Sequence, residues 1–383
     1  MKFAQRVSYL KQSLTRKLFD LAQTIPDAID LTLGDPDVLP PKEIRDAACS
    51  AIIEGRTRYS QNAGLLECRN ILAKFNATLF KREISAQEIM LTCGGMEALY
   101  LALSSLVESG DEVIIPGPYW VNYKQMTQIC GATPVIVPTR ESDNFAISVD
   151  ALAKAVSSNT KVLILNSPNN PTGRIIPGKI LDGIADFAIE NNLFVISDEV
   201  YRSLIYNGQN HESIWTRPGM RERCAVVDSM SKRFSMTGYR LGSIIAPEEL
   251  ITVMTRLQEN VAACAPLPSQ YAAINGYGEG VDAAYLLEEF TARRSIVLKS
   301  FADMPKLSLS GIDGTFYAFV NIGKTGLKSF DFAMKLLECQ SVAVVPGVTY
   351  GDDYDDYIRI AFTVNKKMLS LAMNRLREFA EHL

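Results

Sequence analysis

Four short stretches of this chain set reactive or ligand-holding groups directly after apolar runs. CAVVD leads into SMSKRFSMTGYRLG, which places Lys232 beside Ser229 and Ser231 and, eight residues on, Arg240. LFVIS leads into DEVYRSLIY, with Asp198 ending the run and Tyr201 three residues later. KVLIL leads into NSPNNPTG, where Asn170 is held in a segment fixed by Pro168 and Pro171. EIMLT leads into CGGMEAL, where Gly94, Gly95 and Met96 open a helical pattern. A lysine amine is a nucleophile and a proton carrier, a carboxylate can hold a protonated ring nitrogen, and free amides at a helix N-terminus favour an anion. Taken singly, each has an ordinary reading: a solvated lysine, a capping carboxylate, a plain turn, a strand-to-helix turn. Their recurrence at successive run ends favours the chemical one.

The elements that must position these groups are legible in the same region. From about residue 85 to 246 the runs EIMLT, EVIIP, TPVIVP, KVLILN, LFVIS, CAVVD and GSIIA alternate with helical segments such as GMEALYLALSSLVE and KILDGIADFAIEN. Near-continuous apolar strands between helices predict an α/β fold, a large domain whose mainly parallel seven-stranded sheet is covered by helices on both faces. Ligands of such sheets bind beyond the carboxyl ends of the strands, where the four stretches lie. After residue 280 a long helix, GTFYAFVNI, SVAVVP, YIRIAF and a terminal helix predict a smaller α+β domain, which the first 40 or so residues join. The division expected is 1–45 as an arm and part of the small domain, 46–278 as the large domain and 279–383 as the small one. Val7, Leu10, Leu14, Leu18 and Leu21 follow helical spacing and no acid precedes Asp20, which fits a helix of the fold better than a transit peptide, because no small-residue cleavage pattern follows.

Other chemistries are poorly served. Lys plus Arg number 39 against 43 Asp plus Glu with no long basic run, which argues against a nucleic-acid surface. No apolar run reaches the roughly 18 residues needed to span a bilayer, so no membrane association is expected. The seven cysteines are scattered with no C-x-x-C pair, which speaks against zinc ribbons and disulfide frameworks and fits a cytoplasmic setting. The only histidines are His211 and His382, so no metal site and no Ser-His-Asp triad is expected. NIGKT lacks the earlier glycine of a phosphate loop, Ala318 standing there, and NGYGEG at 275–280 reads as a loop.

An amine, a carboxylate, an amide and phenol pair and a phosphate cradle together suit pyridoxal 5'-phosphate. SPNNPTG, SDEVY and S-x-S-K followed by G-Y-R-L-G resemble the signature of fold-type I pyridoxal-phosphate enzymes, specifically class I/II aminotransferases similar to aspartate aminotransferase, and the likeness runs from LTLGDPD to YIRIAF. It implies a Schiff base on Lys232, whose freed amine then moves a proton at the substrate α-carbon. It implies Asp198 on the ring nitrogen, Asn170 and Tyr201 on the ring's phenolic oxygen, and Trp120 of PGPYWVNY, rather than Tyr119, stacked on the ring. The phosphate would be held by Gly94, Gly95, Met96, Ser229 and Arg240, with Ser231 also at the cofactor. Gly34, Asn170 and Arg359 would bind the substrate, Gly34 and Arg359 at its carboxylate, and Tyr59 would reach the phosphate of a neighbouring subunit in a homodimer with shared active sites. Met96 and Cys93 stand where small or polar residues are common, and no second arginine for a dicarboxylate side chain is evident, which weakens an aspartate or glutamate assignment. The activity implied is ping-pong transfer of an amino group from an L-amino acid to a 2-oxo acid. The alternative on the same scaffold is a carbon-sulfur β-elimination lyase, and a non-enzymatic regulator is disfavoured because no DNA-binding module of that size is present.

Overall fold

The computed structural model describes residues 5–8, 10, 12–278 and 281–383. All seven apolar runs enter one sheet: β1 (Ile89–Thr92), β2 (Glu112–Gly117), β3 (Thr133–Pro138), β4 (Thr160–Asn166), β5 (Phe194–Asp198), β6 (Cys224–Ser229) and β7 (Gly242–Ile245). Across the sheet they lie in the order β1-β7-β6-β5-β4-β2-β3. Neighbours are parallel except around β7, which runs antiparallel to both β6 and β1. The runs are apolar throughout because successive side chains point to opposite faces and both faces are covered. Val162 and Ile164 share a core with residues of the helix Gly95–Leu106 on one face, while Leu163 and Leu165 share a core with residues of Gly178–Glu190 on the other.

A second, antiparallel sheet is ordered Val345–Pro346, Tyr357–Ala361, Tyr317–Asn321, Ser308–Leu309. The run SVAVVP is divided: Val345–Pro346 joins this sheet, whereas Val342–Ala343 pairs in parallel with Ile29–Asp30. Leu18, Ala22, Ile29 and Leu31 thus share a core with Phe290, Phe332, Phe362 and Leu376.

Two local readings differ from expectation. The amphipathic amino-terminal pattern is divided into the helices Gln5–Ser8 and Leu14–Ala22, and only the second buries its stripe: Leu18 is buried while Val7 is exposed. Residues 1–4, 9 and 11 of that stretch lie outside the described residues. NGYGEG reads as a loop in sequence, yet 275–278 continue the helix Leu267–Gly278, and 279–280 lie outside the described residues. Gly276 there serves packing: a Cβ on it would stand 3.0 Å from Ile44 Cδ1 of the helix Lys42–Ile53.

Candidate functional site

The ends of β4, β5 and β6 lie side by side, Asn166 paired with Asp198 and Asp198 with Val227, two residues short of Ser229. They open onto a cavity of about 290 Å³, close to the lower end of the range for small-molecule sites, roughly 300–1,000 Å³. Its wall gathers Gly34, Gly95, Met96, Trp120, Asn170, Asp198, Tyr201, Ser229, Ser231, Lys232, Arg240 and Arg359. Two sequence-predicted residues are not in it. Gly94 and Tyr59 are both absent from the lining, and Tyr59 is 88% exposed.

Lys232 follows β6 in the short helix Met230–Arg233, which Ser229 caps by accepting the Ser231 amide proton at 3.2 Å. Its Nζ donates to the Gly34 carbonyl at 2.6 Å. Burial brings the amine down from 10.5 to about 8; Asp35 opposes the shift, while Arg359 and Arg240 add to it. Arg233, next in sequence, turns away and lays its guanidinium over the rings of Phe75, Phe234 and Tyr277.

Asp198 accepts the Tyr123 hydroxyl proton at 2.6 Å and the Val200 amide at 3.3 Å. Burial raises its carboxyl from 3.8 to about 6, against the pull of both donors. Its sequence neighbour Glu199 faces a different network, with His211 Nε2 at 2.7 Å on one oxygen and the hydroxyls of Ser213 and Ser197 donating to the other at 2.5 and 2.9 Å. The serine hydroxyls here serve the carboxylate and not the imidazole, and the cluster stands outside the cavity wall. Arg202 and Asp228 form a second buried pair at 2.6 Å, with Asn76 accepting from the same guanidinium nitrogen at 2.7 Å.

The glycines at the start of the helix Gly95–Leu106 admit close approach from two sides. Gly94 has φ 86°, and a Cβ on it would stand 2.6 Å from Arg240 Nη2. A Cβ on Gly242 of β7 would fall 2.4 Å from the Gly94 carbonyl carbon, so that glycine lets the strand pass against the cradle. The Gly95 and Met96 amides, in the first helical turn, have no intrahelical acceptor, an arrangement that favours an anion. Arg240 adds a guanidinium, steadied by the Thr237 carbonyl at 2.9 Å and the Cys93 carbonyl at 3.2 Å. Trp120 lines the cavity edge-to-face with Tyr123, ring centroids 5.4 Å apart, whereas Tyr119 is buried outside the wall.

On the opposite wall Arg359 donates to Asn170 Oδ1 at 3.0 Å and to the Thr32 carbonyl, and its guanidinium lies 4.3 Å from the Tyr317 ring centre. Tyr317 also meets the Tyr201 hydroxyl at 3.1 Å. Tyr123, Tyr317 and Gly242 escaped the reading of the sequence. Signals existed: Tyr123 lies one helical turn after Trp120, and Gly242 closes the quoted G-Y-R-L-G. The residues present fit an anionic, ring-bearing ligand, since three cationic side chains and a helix N-terminus surround one buried carboxylate.

A family profile described as aminotransferase class I and II matches residues 26–376. The chain belongs to that family and is an aminotransferase. It is 37% identical over 382 residues, 99% of this chain and 97% of the other, to an aspartate aminotransferase of Pyrococcus horikoshii. It is also 37% identical over 386 residues, 99% and 98% of the two chains, to the aromatic-amino-acid aminotransferase 2 of Thermococcus litoralis. Among solved structures, an aspartate aminotransferase from Thermus thermophilus with maleate superposes with a TM-score of 0.94 at 29% identity, covering 100% of both chains.

Proposed function

We propose that this chain uses pyridoxal 5'-phosphate to move an amino group from an L-amino acid to a 2-oxo acid in two half-reactions, with Lys232 as the amine that bonds the cofactor. The observation that carries this reading is one cavity holding a partly buried amine near pKa 8, a buried carboxylate and a glycine cradle with an arginine beside it. Bound there, pyridoxal phosphate supplies an aldehyde that condenses with amines and a ring that takes up electrons when its nitrogen is protonated.

The Gly95 and Met96 amides, the Ser229 hydroxyl and the Arg240 guanidinium hold the phosphate, and Ser231 completes the wall beside them. Asp198, ionised above about pH 6, keeps a proton on the ring nitrogen. Tyr201 and the amide of Asn170 would be the donors to the phenolic oxygen, and Trp120 would be the aromatic beside the ring. Lys232, its amine already lowered toward neutrality, would be the residue that holds the cofactor's aldehyde, and as a free amine it would be the group that moves a proton at the substrate α-carbon. Arg359 receives the α-carboxylate through its planar fork, next to Gly34.

The same reading makes the protein a cytoplasmic homodimer divided near residues 45 and 278. All seven cysteines are free, which supports a reducing compartment, and among the described residues no helix is long and apolar enough to cross a membrane. Tyr59, Ile53 and Leu39 are exposed apolar side chains at 88%, 84% and 68%, which supports a second copy covering them.

The test is a screen of half-reactions. Purified protein loaded with pyridoxal phosphate is mixed with single L-amino acids, and the visible absorbance of the bound cofactor is followed together with the products. Stoichiometric 2-oxo acid with an enzyme left in the amino form is expected; pyruvate plus ammonia would replace transfer by elimination.

A further inference from the structure

We infer that Tyr317 is a positioning residue that couples the two walls of the site, its hydroxyl fixing Tyr201 and its ring carrying Arg359. The inference rests on the functional reading above and assigns a role to a residue the sequence signature does not mark. Tyr317 opens the strand Tyr317–Asn321, which pairs with Tyr357–Ala361 so that Tyr317 faces Ala361 and Phe319 faces Arg359. Tyr317 and Arg359 are therefore diagonal neighbours on one face, within reach of a ring and a long side chain. The guanidinium lies 4.3 Å from the ring centre, and both residues are buried. At the other end, the Tyr317 and Tyr201 hydroxyls stand 3.1 Å apart, Tyr201 coming from the turn after β5.

The fit is close. A Cβ on Gly34 would stand 1.8 Å from the Tyr317 hydroxyl oxygen, and the Gly34 carbonyl is the acceptor for Lys232 Nζ. Gly34 thus leaves the space in which the tyrosine hydroxyl lies, beside the lysine. Arg359 and Asp198 bear on Tyr201 besides Tyr317, while Arg359 and Asp35 bear on Tyr317 besides Tyr201. When the Tyr317 hydroxyl donates to the Tyr201 oxygen, the Tyr201 proton is left for a ligand, and that proton becomes a stronger donor. A donor to the cofactor's phenolic oxygen favours the form with more charge on it, so weakening the donor moves the pH midpoint of the bound cofactor's visible spectrum upward.

Two variants separate the arms. Tyr317→Phe keeps the ring and removes the hydroxyl. It is expected to raise the spectral midpoint of the pyridoxal-phosphate-loaded protein by about 0.3–1 pH unit and lower kcat about threefold to tenfold, with the amino-acid KM within about twofold. Tyr317→Leu removes both, and its KM is expected to rise a further ~3- to 30-fold with no additional spectral shift. In a Tyr201→Phe background, Tyr317→Phe is expected to move the midpoint no further. A full and additive shift in that background, or an unmoved midpoint in Tyr317→Phe alone, overturns the hydroxyl arm; an unchanged KM in Tyr317→Leu overturns the ring arm. Loaded wild-type protein that reacts with no L-amino acid would defeat the functional reading instead, leaving the spectral comparison intact.

Discussion

Asp198 and Glu199 are neighbours in sequence and both are buried, yet they meet opposite electrostatic surroundings. Burial raises both, but Glu199 receives His211 and two serine hydroxyls and is held below its ordinary value, whereas Asp198 receives only neutral donors and rises to about 6. The next strand repeats the division. Asp228 is met by the Arg202 guanidinium at 2.6 Å, while Lys232, four residues on, has a backbone carbonyl and falls to about 8. Behind the strand ends the charges are matched by direct ion pairs, whereas in the cavity Asp198 and Lys232 hydrogen-bond only to neutral groups. A buried charge without an opposite partner costs stability, so such groups persist where a ligand supplies the missing complement.

The largest effect falls on the cavity side. Lys232→Ala removes both the nucleophile and the proton carrier and is expected to lower the amino-transfer rate on the order of 10⁴-fold, read from single-turnover absorbance traces. Full activity in that variant would remove the enzymatic role given to the cavity. On the matched side the effect should appear in stability instead. Arg202→Met leaves Asp228 buried without its cation and is expected to cost about 3–5 kcal/mol in urea unfolding, with the amino-acid KM little changed. A variant as stable as the wild type would erase the distinction between the regions.

Asp198→Asn sharpens the comparison, because it should damage function and help the fold. The folded carboxyl titrates near 6 against an ordinary 3.8, so between those values the native state holds more protons than the unfolded one. Stability of the cofactor-free wild type therefore falls as pH rises from about 4 to 6, and the penalty is complete above 6. The amide carries no such penalty. Cofactor-free Asp198→Asn is expected to be more stable than wild type at pH 7.5 by up to about 3 kcal/mol, with the gain vanishing below pH 4, while amino transfer drops on the order of 10²-fold. Equal melting curves across that pH range would show that the Tyr123 and Val200 donors already offset the burial.

The sheet was legible because parallel strands buried on both faces must be apolar throughout, and the residues after each run were legible because such sheets collect ligands there. The opposite wall was not open to the same reasoning. Arg359 came from a resemblance alone, since nothing in YIRIAF distinguishes it from an ordinary edge arginine. Tyr317 and Tyr123 look like core aromatics in sequence, and only the approach of distant segments turns their hydroxyls toward Tyr201 and Asp198. NGYGEG misled for a related reason: glycine reads as a loop signal unless the neighbouring helix that requires its small size is known.

Arg359 tests whether the far wall belongs with the unmatched region. Its guanidinium is buried against neutral groups, the Asn170 amide oxygen, the Thr32 carbonyl and the faces of Tyr317 and Tyr350, so like Lys232 it lacks a carboxylate in contact. A substrate carboxylate would supply the complement. Lysine keeps the charge but offers a point in place of a planar fork and cannot stack between two rings, so Arg359→Lys separates charge from geometry. The amino-acid KM is expected to rise about 10- to 100-fold in steady-state measurements, with kcat within several-fold, because the lost contacts are made in the ground state as well as in the transition state. Loss in kcat at constant KM would place Arg359 at the reacting atoms instead, and with it the boundary between the wall that binds and the wall that reacts.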